Sequence, residues 1–345
     1  VTSATETKPA VTAAASPTPD ADTRPATPTS PVTARAVAFV AGHRAQAEAL
    51  GASLAELTND PDALAQTLSR GLAGLADPEY LEGQRRIAPG IGRIWGVRWP
   101  LLAAVSRAYR GATRDDPDTA LLFVADRLFR EPELEARWFA FDVLARTLAG
   151  EPERTWQLLR RAAREAGDWI TVDALAHPYG AGIPAEPYRW AEIEQLVISP
   201  SRWERRLVGS TIATMTHGDG RSGRTPGLVT RGLELLGQLM GDAEPDVQKA
   251  LAWAYRSLAG MDRDAVAAAL RAEADHAVDR QDGNRAWVIR DALAKLDPAT
   301  ATELRARLAG LRRRPGAIAT SPAAELATRF GGLPDPTRHP EPPLT

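Results

Sequence analysis

The sequence predicts an all-α protein, an α-solenoid of short helical repeats, on three observations. Ala, Leu, Arg and Glu, all strong helix formers, dominate the chain between its two ends. Gly, Pro and Asp-Pro recur at intervals of about one short helix and cut that composition into segments. No stretch shows the strict apolar–polar alternation of a half-buried strand.

The elements follow in order. Residues 1–33 are mostly Ala, Thr, Pro and Ser with acidic Glu6, Asp20 and Asp22. Such a segment buries too little apolar surface to offset its chain entropy, so a disordered tail is expected. Helices are expected at 34–50, 54–76, 78–90, 99–111, 117–130, 133–149, 151–166, 168–177, 188–198, 201–217, 225–241, 244–259, 262–279, 284–296 and 300–313. Gly218, Gly220 and Gly223 make His217 to Pro226 a long, flexible loop. Residues 314–345 are Pro-rich and end Pro334-Asp-Pro-Thr-Arg-His-Pro-Glu-Pro-Pro, which cannot continue a helix. They are expected to be mostly disordered, with Phe330 available to dock locally. The organisation expected is thus a tail (1–33), a helical-repeat domain (34–313) and a second tail (314–345).

Composition narrows the chemistry. The 345-residue chain is 44% hydrophobic, enough for a sizeable core. It has no cysteine, which excludes disulfides, thiolate zinc ligands and thiol nucleophiles and fits a reducing cytoplasm. No two of His43, His177, His217, His276 and His339 stand at helical ligand spacing, so neither a metal nor a cofactor is expected. No run approaches the apolar length of a membrane-spanning helix, and no secretory signal pattern opens the chain. A net charge of −2 gives no global attraction to nucleic acid, so any such contact must come from a local, concave basic face.

A weak internal repeat supports the solenoid. Trp203-Glu-Arg-Arg206, Trp253-Ala-Tyr-Arg256 and Trp287-Val-Ile-Arg290 each set Trp and Arg three residues apart, on one helix face. Their spacing falls around the period of HEAT-like repeats. For the third pair, a Trp packed between repeats with its Arg in solvent is the simpler reading. The stretch from Arg137 to Arg256 holds the most chemistry. Trp169 and Asp173 are four residues apart and share a face. They precede Ser199-Pro-Ser-Arg-Trp203-Glu-Arg-Arg206 and Val247-Gln-Lys-Ala-Leu-Ala-Trp253-Ala-Tyr-Arg256. Stacked repeats would bring the three segments onto one surface of aromatic rings, a carboxylate and several guanidinium groups. Arg160, Arg161 and Arg164 form a further basic face, for which contact with DNA and simple solvation are both open.

Three blocks together resemble the AlkD-type family of HEAT-like DNA alkylation repair glycosylases: Asp168-Trp-Ile-Thr-Val-Asp-Ala-Leu-Ala176, Trp203-Glu-Arg-Arg206 and Gln248-Lys-Ala-Leu-Ala-Trp253. Gly96-Val-Arg-Trp-Pro-Leu-Leu102 and Arg130-Glu-Pro-Glu-Leu-Glu-Ala-Arg137 are similar to upstream segments of that family, and the resemblance covers about residues 50–295. It implies a monofunctional glycosylase that hydrolyses the N-glycosidic bond of cationic N3- or N7-alkylated purines in duplex DNA, in base excision repair. It implies no metal, no tight base-flipping pocket and no strand cleavage. Asp173 would be the catalytic carboxylate, with Trp169 and Trp253 the aromatics beside the lesion's sugar. Arg206 would bind phosphate, with Arg205, Arg256 and Lys249 as further phosphate-binding candidates. A cytoplasmic, nucleoid-associated monomer is the setting expected. Arg312-Arg-Arg314 could add a nonspecific DNA contact.

Each residue has a plainer rival role. Asp173 could cap a helix or pair with an arginine, and the tryptophans could be core. At the level of the whole chain, the rivals are a noncatalytic protein for distorted or branched DNA and a protein-interaction scaffold.

Overall fold

The computed structural model describes residues 31–219 and 227–329. Residues 1–30, residues 220–226 of the expected loop, and residues 330–345, Phe330 among them, lie outside the described residues. Among the described residues the protein is all-α, with no strand and only two isolated bridge pairs, Ala76 with Val97 and Arg93 with Glu133. No described helix is long and apolar enough to cross a membrane.

The helices are α1 (Pro31–Ala55), α2 (Pro61–Ala73), α3 (Pro78–Ile87), α4 (Trp99–Ala112), α5 (Asp118–Leu128), α6 (Leu134–Thr147), α7 (Pro152–Glu165) and α8 (Trp169–Ala185). They continue with α9 (Trp190–Val197), α10 (Arg202–Asp219), α11 (Leu228–Leu239), α12 (Pro245–Leu258), α13 (Arg263–Asp279), α14 (Gly283–Ala292), α15 (Pro298–Arg307) and α16 (Pro322–Arg329). Aspartates set many of the starts. Asp60, Asp77, Asp168, Asp262, Asp282 and Asp297 each accept hydrogen bonds from backbone N–H groups two or three residues on. Each such cap stabilises its helix by about 1 kcal/mol. Three of them precede Pro, whose fixed φ suits the first helical position.

Several expected boundaries differ: the first helix runs on to Ala55 rather than 50, and the one expected at 300–313 ends at Arg307. The segment expected as one helix at 54–76 is split, because Asp60 and Pro61 end the α1 turn and start α2 afresh. The helix expected to stop at 177 runs through Pro178 and Pro184 to Ala185. Burial accounts for this. Tyr179 and Ile183, one turn apart, are inaccessible, and Trp156 packs on the Tyr179 ring at 4.5 Å. The fully buried Arg189 then donates to the Gly182 carbonyl at 3.0 Å and stacks on Trp156 at 4.6 Å. Within the C-terminal stretch, α16 packs against α11, and Glu325 accepts a 2.7 Å bond from Arg280.

Packing is sequential. The even-numbered helices α4 to α14 touch one another in chain order, and α5, α7, α9, α11 and α13 pack as a second row against them, with α15 against α13. Apolar side chains from Ala47 to Ala323 form one continuous core between the rows. This arrangement is consistent with helical repeats, in which each unit buries its apolar face on its neighbours.

Cross-links fix the register of the even row. Trp138 Nε1 donates to Thr171 at 3.0 Å, Ser210 to Asp173 at 2.6 Å, Arg206 to the Asp246 carbonyl at 2.6 Å and Arg256 to the Asp291 carbonyl at 2.9 Å. Thr214 reaches the Ala176 carbonyl at 3.0 Å, so α8 and α10 run parallel. At the α10–α12 crossing, a Cβ on Gly209 would lie 2.9 Å from the Ala250 backbone carbon. Only glycine permits that approach, and it brings Arg206 within reach of α12.

This register corrects the repeat read from the sequence. Trp253 and Trp287 occupy corresponding places on α12 and α14, and both are half-buried. Trp203 lies at the start of α10, only 5% exposed, and is not their equivalent.

A candidate site across four successive helices

The site begins with the cap of α8. Asp168 accepts from the Thr171 N–H at 2.8 Å and from the Thr171 hydroxyl at 2.7 Å, while Thr171 accepts from Trp138 on α6. Burial pushes the Asp168 carboxyl up, opposed by these hydrogen bonds. The network fixes the first turn of α8 and with it Trp169 and Asp173, which share one face.

Asp173 meets α10 in a closed arrangement. Arg206 forks onto it, with Nε to Oδ1 at 3.1 Å and Nη2 to Oδ2 at 2.7 Å. Ser210, one turn beyond Arg206, donates to Oδ1 at 2.6 Å. The third arm of the guanidinium, Nη1, donates to the Asp246 carbonyl on α12. The Arg206 side chain is 5% exposed and that of Asp173 22% exposed. The guanidinium lies 5.8 Å from the centroid of the half-buried Trp169 ring. The carboxylate therefore keeps an opening to solvent, while the arginine that orients it is nearly enclosed.

Trp253 lies on α12 seven residues after Asp246, which is two helical turns and about 10 Å along the same face. Lys249 is one turn before Trp253, exposed and without a hydrogen bond or ion pair to any described residue. A line of partly or fully exposed side chains thus runs over α8, α12 and α14, with Arg206 of α10 between the first two: Trp169 and Asp173, Lys249 and Trp253, then Trp287.

The remaining predicted residues are placed as follows. Arg205 turns away from Arg206, donating to Asp242 at 2.7 Å and to the Ser199 and Pro200 carbonyls at 2.8 and 2.9 Å. It ties the start of α10 to the turn before α12. Arg256 pairs with Asp291 at 2.5 Å. Arg160 and Arg161 stand on α7, in the second row, paired with Glu192 at 3.2 Å and with Asp126 at 2.9 Å. Arg164 is exposed. Arg290, in the third Trp–Arg pair, donates to the Leu308 and Leu311 carbonyls rather than standing in solvent. Sequence reasoning missed Ser210 and the Asp246 carbonyl. The four-residue step from Arg206 to Ser210 was the available signal for the first, since it places both on one face.

The upstream blocks that contributed to the resemblance have architectural work. Glu135, buried on α6, accepts from the N–H groups of Trp95, Gly96 and Val97 at 3.1, 2.8 and 3.2 Å. Burial nonetheless pushes its carboxyl up. Arg98 donates to Asp77, the α3 cap, at 2.6 Å. Among the described residues, no group of three or more His, Asp or Glu side chains is arranged to hold a metal ion.

Comparison with the curated proteins finds no match. The signature of the family described as DNA alkylation repair enzyme matches residues 68–296, a span that includes α3 to α14 with Asp173, Arg206, Ser210 and all three line tryptophans. With two thirds of its length matched, the chain belongs to the DNA alkylation repair enzyme family.

Proposed function

We propose that this protein is a DNA glycosylase that hydrolyses the N-glycosidic bond of cationic N3- and N7-alkylated purines in duplex DNA. The observation that supports it most is the opening at Asp173, a carboxylate held on three sides by Arg206 and Ser210 beside Trp169, with one side left to solvent. An alkylated purine already carries positive charge and leaves without a general acid. The sugar then becomes oxocarbenium-like, as in other glycoside hydrolyses. A fixed carboxylate next to that cation lowers the barrier and orients the attacking water. Indole faces attract the same developing charge, which gives Trp169 and Trp253 their part. One carboxylate is enough because no proton has to be delivered to the leaving base.

In this reading Arg206 is a positioning residue, since its donors already serve Asp173 and α12. Lys249 remains a phosphate-binding candidate, and Arg205 and Arg256 act on the frame that holds the site.

The test is release of free base. Purified protein is incubated with duplexes containing 7-methylguanine or 3-methyladenine, and the freed purine is quantified. Release by the wild type that collapses in Asp173→Asn supports the proposal. Equal inactivity of the two proteins on both lesions refutes it. Duplex binding without release would then favour the noncatalytic DNA-binding role.

A further inference from the structure

Beyond the matched span, the chain turns back across α14 and the start of α12. Arg290 holds the Leu308 and Leu311 carbonyls at 2.5 and 2.6 Å. Gly283, at the start of α14, lies so close to the Arg312 carbonyl that a Cβ there would collide with it. Thr320 then donates its N–H to the Gly241 carbonyl at 2.9 Å and its hydroxyl to the buried Asp282, and Ser321 is 1% exposed. Residues 308–321 are therefore a strap anchored at both ends across α12 and α14.

The strap presents Arg312, Arg313 and Arg314 outward, all exposed. Arg313 is aimed by two contacts. Its Nη1 donates to Gln248 at 2.9 Å, and its guanidinium lies 4.5 Å over the Trp287 ring. Gln248 is wholly buried and donates to the Asp242 carbonyl at 2.7 Å, so the acceptor is itself fixed. Lys249 follows Gln248 on α12 and adds an exposed ammonium group. No acidic residue occurs between Glu303 and Glu325. A run of three guanidinium groups on an anchored backbone, the middle one aimed, with no acidic neighbours in the chain and beside a line of indoles, is complementary to a chain of phosphates.

We propose that the strap is a phosphate-binding ledge for duplex DNA, with Arg312, Arg313, Arg314 and Lys249 holding the backbone flanking the site at Asp173. The proposal rests on the reading of that site as one that acts on DNA. The ledge supplies the local basic surface that a net charge of −2 does not provide globally.

The experiment is equilibrium binding of the full chain to an undamaged duplex, measured by fluorescence anisotropy over a series of salt concentrations. Arg312→Ala/Arg314→Ala removes two exposed side chains and leaves the backbone and side-chain bonds that anchor the strap in place. It should weaken binding by about tenfold at low salt and reduce the slope of log affinity against log salt by about 2. Arg164→Ala, on the opposite row, should leave the slope unchanged. Arg313→Ala should also lower the slope, and thermal melting shows whether the strap has loosened. A double variant with the wild-type slope and affinity overturns the ledge. That result together with base release lost in Asp173→Asn leaves the proposed activity standing. A lowered slope with no base release from any lesion keeps the ledge and sinks the glycosylase.

Discussion

Replacing Arg206 by lysine separates two roles that the same residue could have. The guanidinium makes three charged hydrogen bonds, two to Asp173 at 3.1 and 2.7 Å and one to the Asp246 carbonyl at 2.6 Å. An ammonium group is a single point on a flexible stem and cannot span both carboxylate oxygens and the neighbouring helix. The charge stays, so the full cost of about 3–5 kcal/mol for breaking a buried pair does not apply. Losing one or two charged hydrogen bonds, offset by new ones from the ammonium, leaves about 2 kcal/mol of destabilisation. A domain stable by about 5–15 kcal/mol remains folded after such a loss, so a change in rate is not a change in folded fraction. The catalytic cost comes from misplacing Asp173, and a displacement of about 1 Å costs on the order of 100-fold. The assay is single-turnover release of 7-methylguanine with protein saturating, together with thermal melting and the salt dependence of duplex binding. Positioning predicts a rate down about 100-fold with the salt slope unchanged. A rate within about threefold of wild type at saturation, with the slope reduced by about 1, would refute positioning and make Arg206 a phosphate contact after all.

Three further outcomes follow from the geometry. Ser210→Ala removes one of the three bonds to Asp173 but keeps the ion pair, so it should cost about 1 kcal/mol in a thermal melt and slow base release far less than Arg206→Lys does. Gly209→Ala places a methyl group 2.9 Å from the Ala250 backbone, which cannot retreat without separating α10 from α12, and should destabilise by about 1–3 kcal/mol; a melting temperature equal to the wild type's would contradict the close packing. Burial works to raise the Asp77 carboxyl, but the hydrogen bond from Arg98 and those from the Tyr80 and Glu79 N–H groups outweigh it and hold it below the usual carboxylate range. Its folded value lies below its unfolded one, so its stabilisation is present above the unfolded value and lost as pH falls through the folded value. Arg98→Ala should therefore move acid unfolding, followed by circular dichroism, to higher pH; an unchanged midpoint would show that the pair contributes nothing.

Most helices were legible because their ends are written locally. Asp60-Pro61, Asp77-Pro78 and Asp297-Pro298 announce starts that need no tertiary information. The exception is instructive. Pro178 and Pro184 read as terminators, yet burial of Tyr179 and Ile183 against the neighbouring helices outweighs the hydrogen bonds that proline forfeits, so α8 continues. The same contrast runs through the site. Trp169 and Asp173 could be put on one face from their spacing alone. The direction of Arg205 could not, because Asp242 lies 37 residues away and becomes its partner only when α10 meets the turn before α12. The strap was divided between an expected helix ending at 313 and an expected tail from 314 for the same reason: Gly283, Thr320 and Arg290 anchor it through contacts no local pattern encodes.

The central claim is that Asp173 stabilises a sugar becoming cationic, and cationic sugar mimics test it without requiring turnover. Duplexes carrying either a pyrrolidine abasic analogue, protonated at neutral pH, or its neutral tetrahydrofuran counterpart would be bound by wild type and by Asp173→Asn. The account predicts that the wild type prefers the cationic analogue by about 100-fold, as expected of a transition-state mimic, and that Asp173→Asn abolishes the preference. Equal affinity of the wild type for both duplexes would contradict it.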